Sequence, residues 1–142
     1  MCYTFFMDFN DILKPGLCAG KTETVSEKNI ASALGSGCLG VYSTPAMIAL
    51  MEGTALSAVD PLLPLGYSTV GTELNVKHLS ATPQGMEVSA KAELLSVEGK
   101  SLLFTVEAFD EAGKIGEGTH RRFIVENGKF LARTEGKKQS SG

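Results

Sequence analysis

One carboxylate stands out in this sequence because of what surrounds it. Glu52 is the only charged residue between Lys28 and Asp60, and its neighbours in the chain are almost all small or apolar. Removing a carboxylate from water costs several kcal/mol unless a partner compensates it. Glu52 is therefore either a structural carboxylate, paired with a basic group or placed at a subunit contact, or a general base or nucleophile in an apolar site.

A second candidate is His78, which alternation places on one face of a predicted strand with Val70, Leu74 and Val76. A histidine in such company is more often a satisfied core residue than a catalyst. Beside a glutamate it gains a second interpretation, because imidazole and carboxylate together can orient water and move protons. No metal site is predicted, since the histidines and cysteines show no ligand spacing.

Two further motifs carry weaker signals. Residues 35–40 match the dinucleotide pattern GxGxxG, but no apolar strand precedes them and no βαβ alternation follows, so a glycine-rich loop is the better interpretation. Residues 118–122 bring Arg121 and Arg122 together near the end of the chain. These arginines are either solvated charges at a sheet edge or an anion site, because a guanidinium can bind phosphate through two parallel hydrogen bonds.

A capped helix is predicted to carry Glu52. Thr44 is the expected cap and Pro45 the first helical residue, while Asp60-Pro61 ends the helix because the residue before a proline disfavours helical backbone. The segment between them is apolar on almost every side, which is typical of a buried helix.

After this helix, the chain alternates between apolar and polar residues over four long segments joined by turn signals. The predicted strands are 68–81, 86–97, 101–109 and 115–125, with a weaker first strand at 20–26. Asn127-Gly128 predicts a last hairpin turn, and the polar residues from about 134 predict a frayed tail. The predicted fold class is α+β: a single domain over residues 1–142, with one antiparallel sheet wrapped around one long buried helix.

The composition, 43% hydrophobic and 20% charged, is ordinary for a soluble globular protein. A net charge of −3 gives no reason to expect a nucleic-acid surface. No apolar run reaches the roughly 20 residues that a membrane helix needs, and the first residues lack the basic start of a signal peptide. The cysteines Cys2, Cys18 and Cys38 form no CxxC pair and leave one unpaired, so a cytoplasmic location is expected.

Five segments keep a common spacing over residues 15–130, namely 44–52, 71–78, 81–85, 93–99 and 115–122. Together they resemble the hot-dog-fold acyl-CoA thioesterases, and within these the fluoroacetyl-CoA thioesterase group. That family wraps an antiparallel sheet around a long helix and dimerises, with its sites at the subunit interface. The resemblance implies an acyl-CoA substrate, a homodimer or a dimer of dimers, and no cofactor beyond the coenzyme A of the substrate.

By that resemblance, Thr44, Glu52 and His78 align with the catalytic set of the family. Gly71 aligns with a glycine whose backbone N–H can hold the thioester oxygen, and Arg122 aligns with an arginine near the site. Thr44 and Glu52 lie about 12 Å apart along a helix that rises 1.5 Å per residue. They would therefore flank a substrate, or act through water or another subunit.

One departure limits what the resemblance implies. Fluoroacetate-selective members are expected to carry aromatic side chains ahead of the helix, and residues 31–40 contain none. The expected activity is therefore hydrolysis of a small acyl-CoA thioester without fluoroacetyl selectivity. The alternatives are a non-catalytic binder of a small acyl or aromatic ligand, and a hot-dog enzyme that acts on a thioester without hydrolysis, such as a hydratase.

Overall fold

The computed structural model describes residues 8–140, except for the side chain of Ser140. Cys2, one of the three cysteines considered above, lies outside the described residues. The strands are β1 (Cys18–Thr24), β2 (Tyr67–His78), β3 (Glu87–Glu98), β4 (Ser101–Asp110) and β5 (Gly113–Glu126). The helices are α1 (Ala31–Leu34), α2 (Thr44–Val59), α3 (Asn127–Glu135) and α4 (Lys137–Ser140). Across residues 8–140, none of the helices is both long and apolar enough to cross a bilayer.

The five strands form one antiparallel sheet in the order β1-β3-β4-β5-β2, so β1 and β2 are its edges. Helix α2 packs across one face, against β1, β3 and β4. Alternation predicts the inner faces of β3 and β4, and the residues it selects there are buried: Val88, Ala90, Ala92, Leu94, Leu102, Phe104, Val106 and Ala108. Met86, predicted with them, lies just before β3 and is half-buried. The predicted α+β layout of one sheet and one long helix is confirmed.

Helix α2 is buried on one face only. The residues that face the sheet are fully buried: Met47, Met51, Ala55 and Val59. On the opposite side Ala49 and Leu56 are exposed, and the side chain of Glu52 keeps 38% of its surface in solvent. The prediction that this helix is buried on every side is therefore wrong for the single chain, because the sheet covers only half of it.

The cap of α2 differs by one residue from the prediction. Ser43, not Thr44, is the N-cap, and its side chain accepts a hydrogen bond of 3.1 Å from the backbone N–H of Ala46. Serine caps a helix at least as well as threonine. The shift releases the hydroxyl of Thr44 from capping. The helix ends before Asp60 and Pro61, as predicted.

A β-bulge in β2 changes which of its residues face α2. In a regular strand, Gly71 and His78 would point to opposite faces, because side chains alternate with a period of two. The register between β2 and β5 shifts between Gly71 and Glu73, so Thr72 is an extra residue. The bulge inverts the alternation, and Gly71 and His78 therefore face the same side of the sheet.

The strand partners identify that side as the inner one. Gly71 lies opposite Arg122 on β5, and both Arg122 and the nearby His120 are buried. Thr69 also faces inward and is 5% exposed. The prediction that Val70 shares the inner face with His78 is wrong, because the bulge lies between them.

The C-terminal segment is helical instead of forming a hairpin. Asn127-Gly128 predicts a turn, but α3 begins at Asn127 and runs to Glu135. Gly128 does not adopt the positive φ that a two-residue hairpin turn of this sequence requires. The residues after it, Lys-Phe-Leu-Ala-Arg, include several good helix formers. Helix α4 follows, so the polar residues from about 134 are helical as far as the chain is described.

Candidate active site

The first group of predicted site residues lies at the N-terminal end of α2. The hydroxyl oxygen of Thr44 lies 2.7 Å from Nδ1 of His78, the last residue of β2. This contact depends on the cap, because Ser43 takes the capping bond and leaves the hydroxyl of Thr44 available for the imidazole.

His78 is not a satisfied core histidine. Its Nε2 atom is buried and has no hydrogen-bond partner among residues 8–140. Burial lowers the pKa of His78, against an opposing hydrogen bond with the backbone of Ser80. A neutral imidazole with one uncommitted nitrogen can exchange a proton with a water or a substrate atom.

A pocket of about 300 Å³ opens beside Thr44 and His78. Its walls come from the segment before α2 and from the segment that follows β2, and they include the small side chains of Ala31, Ser36 and Ala81. A pocket of this volume is at the lower end of the range for small-molecule sites. It gives Thr44 and the imidazole of His78 a neighbouring space suited to a small group.

The second group lies two turns further along α2. Nη1 of Arg122 lies 4.0 Å from Oε2 of Glu52, the outer limit of an ion pair. No residue of the described range, Arg122 included, donates a hydrogen bond to this carboxylate. A Cβ placed on Gly71 would lie 2.8 Å from Oε2 of Glu52 and 3.5 Å from Nη1 of Arg122. Gly71 therefore leaves the room in which the carboxylate sits.

Arg122 is buried and fixed by the neighbouring strand. Its Nε donates to the hydroxyl of Thr69 at 2.7 Å, and its Nη2 donates to the carbonyl oxygen of Thr69 at 2.9 Å. Burial lowers the pKa of Arg122, while the charges of Asp60 and Glu52 act in the opposite direction. The guanidinium nevertheless stays protonated, as arginine does in proteins.

The two adjacent arginines have different surroundings. Arg121 points to the outer face, where its Nε lies 3.6 Å from a carboxylate oxygen of Glu73 and 38% of its side chain is exposed. Arg121 is solvated, as one interpretation predicts, but it lies on the outer face of an interior strand and not at a sheet edge. For Arg122, which is 5% exposed, the interpretation as a solvated charge is wrong. Consecutive residues of a strand face opposite sides, so only one of the two can reach the site.

His120 belongs to the same group, although the sequence analysis does not select it as a site residue. Its Nδ1 lies 2.9 Å from the carbonyl oxygen of Glu73, and its Nε2 lies 3.1 Å from Nη1 of Arg122. A carbonyl only accepts and a guanidinium only donates, so Nδ1 carries the proton and Nε2 accepts from Arg122. Burial lowers the pKa of His120, and the charge of Arg122 adds to this effect. The signal that points to it is spacing, since residues two apart on a strand share a face.

The structure thus divides the predicted site residues into two groups. Thr44 contacts His78, while Glu52 lies beside Gly71 and Arg122. About 12 Å of helix separates Thr44 from Glu52, and about 20 Å of strand separates His78 from Gly71. Within one chain the two groups are too far apart for a direct hydrogen bond. In the part of the chain that the structure describes, no three His, Cys, Asp or Glu side chains are close enough to hold a metal ion.

Sequence comparison finds relatives over most of the chain. The profile of the family FlK, fluoroacetyl-CoA-specific thioesterase, matches residues 25–128. The fluoroacetyl-CoA thioesterase of Streptantibioticus cattleyicolor is 41% identical over 97 residues, which cover 68% of this chain and 70% of that protein.

Structural comparison leads to the same proteins. The fluoroacetyl-CoA thioesterase FlK superposes with a TM-score of 0.84 at 33% identity, over 88% of this chain and 97% of that one. A mutant of FlK solved with fluoroacetate and CoA gives a TM-score of 0.79 at 33% identity, over 83% of this chain and 99% of that one. A hot-dog-like protein from Thermanaerovibrio acidaminovorans gives 0.85 at 26% identity, over 92% and 97%. These matches confirm the predicted hot-dog architecture.

Proposed function

Because this chain belongs to the fluoroacetyl-CoA-specific thioesterase family, we propose that it hydrolyses a small acyl-CoA thioester to the free acid and coenzyme A. The observation that carries this proposal is the position of Glu52. Its carboxylate is half-exposed, lies 4.0 Å from the buried charge of Arg122 and accepts no hydrogen bond from the described residues. A carboxylate left free beside a fixed positive charge is suited to chemistry on a carbonyl group.

Glu52 would act in one of two ways, and both remain open. As a general base it takes a proton from water, whose oxygen attacks the thioester carbonyl carbon. As a nucleophile it attacks that carbon itself, and water later hydrolyses the resulting anhydride. In either case the carbon–sulfur bond breaks, the acid keeps the carbonyl carbon, and the leaving thiolate of coenzyme A takes up a proton.

Negative charge develops on the carbonyl oxygen during the attack. We propose the backbone N–H of Gly71 as a donor to this oxygen, with the guanidinium of Arg122 beside it. The proposal is supported by proximity, because a carbonyl that reaches Glu52 also reaches Gly71, whose Cα faces the carboxylate. Donors fixed where charge develops are often worth a few kcal/mol of barrier.

His78 and Thr44 would serve the leaving group. We propose that the imidazole, oriented by the hydroxyl of Thr44, helps transfer a proton to the thiolate or stabilises its charge. The support is the buried Nε2 of His78, which has no hydrogen-bond partner in the described chain, together with the pocket that His78 and Thr44 line.

The two groups of residues would meet across a homodimer. β2 is a 12-residue edge strand, and residues 71–75 are exposed on both of its faces. A long exposed edge is a template for pairing with another strand. We propose that β2 pairs with its own copy about a two-fold axis at Asn75. With Thr72 as the extra residue, this register places Gly71 opposite His78 of the partner subunit, both facing inward.

The same register matches the neighbouring side chains. On the inner face, Leu74 would lie opposite Val76 of the partner subunit, which pairs two apolar residues. On the outer face, Glu73 would lie opposite Lys77 of the partner subunit, which pairs opposite charges, and such cross-strand pairs are favourable. A dimer of dimers would repeat this unit.

The remaining parts of the proposal concern cofactor and compartment. We propose no cofactor beyond the coenzyme A of the substrate. A reducing, cytoplasmic setting is supported by Cys18 and Cys38, which are both free and exposed thiols.

Thiol release from a panel of short acyl-CoAs tests the proposed function. We expect turnover of at least one member of the panel, abolished by Glu52→Gln and retained by Glu93→Gln, which changes an exposed carboxylate on the outer face of β3. Thermal protection by an acyl-CoA without any release of thiol would contradict hydrolysis and support the ligand-binding alternative.

A further inference from the structure

Asp60 is tied to β2 at the point where α2 ends, eight residues after Glu52. Its Oδ1 accepts a hydrogen bond of 2.6 Å from the hydroxyl of Thr69, and its Oδ2 accepts one of 3.1 Å from the backbone N–H of Thr69. A threonine hydroxyl has one proton, and that of Thr69 is used in the hydrogen bond to Asp60. The hydroxyl oxygen can therefore only accept from a further partner, and that partner is Nε of Arg122 at 2.7 Å.

Further hydrogen bonds fix the guanidinium group of Arg122. Nη2 of Arg122 donates to the carbonyl oxygen of Thr69, and Nη1 donates to Nε2 of His120. Three of the five N–H groups of Arg122 are thus bonded within the chain. The guanidinium plane is held from β2 on one side and from β5 on the other. The second proton of Nη1 is left for the space that Glu52 and Gly71 border.

We propose that Asp60 and Thr69 are positioning residues of the hydrolase. They act through Arg122, whose fixed Nη1–H then points at the reacting carbonyl group beside Glu52. The inference rests on the proposed function and extends it to two residues that do not touch the substrate. A donor held in place before the reaction stabilises developing charge better than one that must reorient.

A link between α2 and β2 would need only one of the two hydrogen bonds between Asp60 and Thr69. The bond from the backbone N–H of Thr69 would be enough to hold Asp60 to the strand. The hydroxyl of Thr69 adds a second bond, and that bond fixes the direction of the contact with Nε of Arg122. The chain also contains a similar pair without an arginine, because Asp110 accepts a hydrogen bond of 2.8 Å from the hydroxyl of Thr82.

Three variants separate positioning from packing. Thr69→Val keeps the shape and removes the hydroxyl, Thr69→Ser keeps the hydroxyl, and Asp60→Asn removes the charge that orients it. We expect Thr69→Val and Asp60→Asn to lower kcat by about tenfold or more with little change in KM, and Thr69→Ser to restore most of kcat. The controls Thr82→Val and Asp110→Asn remove the similar pair and should leave kcat per folded protein unchanged.

A double-mutant cycle tests whether Asp60 acts through Arg122. If it does, adding Asp60→Asn to Arg122→Lys costs little more activity than Arg122→Lys alone, since the two changes remove one interaction. Losses that multiply would overturn the proposal, because they would show that Asp60 acts independently of the arginine.

Hydrogen exchange of Nε–H of Arg122, followed by 15N NMR, gives a readout that does not depend on activity. We expect slow exchange in the wild type and in Thr69→Ser, and faster exchange in Thr69→Val and Asp60→Asn. Unchanged exchange in both of the latter variants would overturn the positioning of Arg122. Faster exchange with an unchanged kcat would overturn its role in the reaction. If the wild type releases no thiol, the proposed function fails, while the exchange rates still decide whether Asp60 and Thr69 hold Arg122.

Discussion

The hydroxyl of Thr44 lies 2.7 Å from Nδ1 of His78, although 34 residues separate them in the chain. The contact joins the first turn of α2 to the end of β2. The other ring nitrogen, Nε2, is buried and has no hydrogen-bond partner in the part of the chain that the structure describes. The contact exists because Ser43, one residue earlier, caps the helix. A one-residue shift of the cap therefore changes Thr44 from a structural residue into a partner of the imidazole.

The first prediction concerns this pair. His78→Ala should lower turnover at least tenfold, or about 1.4 kcal/mol of barrier, and leave the fold intact. Thr44→Val should also lower kcat, because it removes the hydroxyl that orients the ring, whereas Thr44→Ser should keep most of the activity. Thiol release and thermal unfolding are measured on the same samples. Normal turnover with a lower melting temperature would make His78 a core residue.

The second prediction concerns Glu52. Glu52→Gln keeps the shape and removes both the base and the nucleophile, so thioester cleavage should fall by several orders of magnitude. Stability should change little, because the side chain is 38% exposed and its contact with Arg122 is long. Steady-state kinetics and thermal unfolding of the purified variant provide the measurement. A clear loss of stability with a near-normal rate in the folded fraction would identify a structural carboxylate.

The third prediction uses two glycines near this carboxylate. In Gly71→Ala the new methyl group would lie 2.8 Å from Oε2 of Glu52 and 3.2 Å from Cε1 of His120. We expect the carboxylate to be displaced and kcat to fall. Gly53→Ala is the control one residue from Glu52, because among the described residues its methyl group approaches only Nζ of Lys21, at 3.9 Å. Equal activity of the two variants would contradict the proposed packing.

The control also has an expected sign for stability. Gly53 lies inside α2, where alanine is preferred to glycine by about 0.5–1 kcal/mol. Gly53→Ala should therefore raise the free energy of unfolding by a similar amount, measured by chemical denaturation. A destabilised Gly53→Ala variant would show that the open face of α2 is covered in solution.

The sequence predicts best where local pattern and burial agree. On β4, the alternation of Leu102, Phe104, Val106 and Ala108 predicts the inner face correctly, since each of these side chains packs under the helix. Thr44 and Ser43 show the limit of a local rule. Both residue types are good caps, so the local sequence does not decide between them.

Other features need tertiary information. The bulge at Thr72 cannot be predicted from the residue types of β2, yet because of it Gly71 faces Glu52. From the sequence alone, His120 is part of the basic motif at residues 118–122. Only the structure shows that its ring lies beside the guanidinium of Arg122. The turn signal of Asn127-Gly128 is overridden by the good helix formers that follow it.

The fourth prediction concerns the assembly. Light scattering at micromolar concentration should give twice the 15.0 kDa of one chain. Asn75→Lys should weaken the dimer, because the proposed register places two copies of this side chain directly opposite each other and like charges there repel. Asn75→Ser introduces no charge and serves as the control. A dimer unaffected by Asn75→Lys would exclude this register, and a monomeric wild type would exclude the dimer.

If the site is shared between subunits, activity should follow assembly. When Asn75→Lys is diluted below the concentration at which it dimerises, its specific activity should fall in proportion to the fraction of dimer. The reason is that Gly71 and His78 of the partner subunit would then separate. Specific activity that is independent of concentration in a dissociating variant would show that one chain carries a complete site.

The last prediction follows from the two histidines. Burial lowers the pKa of both His78 and His120 below the ordinary value of about 6.5. Just below that value the unfolded chain binds more protons than the folded one, so the free energy of unfolding should fall as the pH drops below about 6.5. Above it both histidines are neutral in both states, and their contribution to stability is fully present and independent of pH.

His120 should dominate the loss of stability. A proton on its Nε2 would face Nη1–H of Arg122 at 3.1 Å, which replaces a hydrogen bond by a repulsion between two donors. His120→Gln should therefore flatten the dependence of the unfolding free energy on pH below about 6.5, even if it lowers stability at pH 8. Chemical denaturation across this range measures the slope for the wild type, His78→Gln and His120→Gln. A slope that survives unchanged in both variants would assign the acid sensitivity to other groups. A wild type that gains stability on acidification would contradict the lowered pKa values.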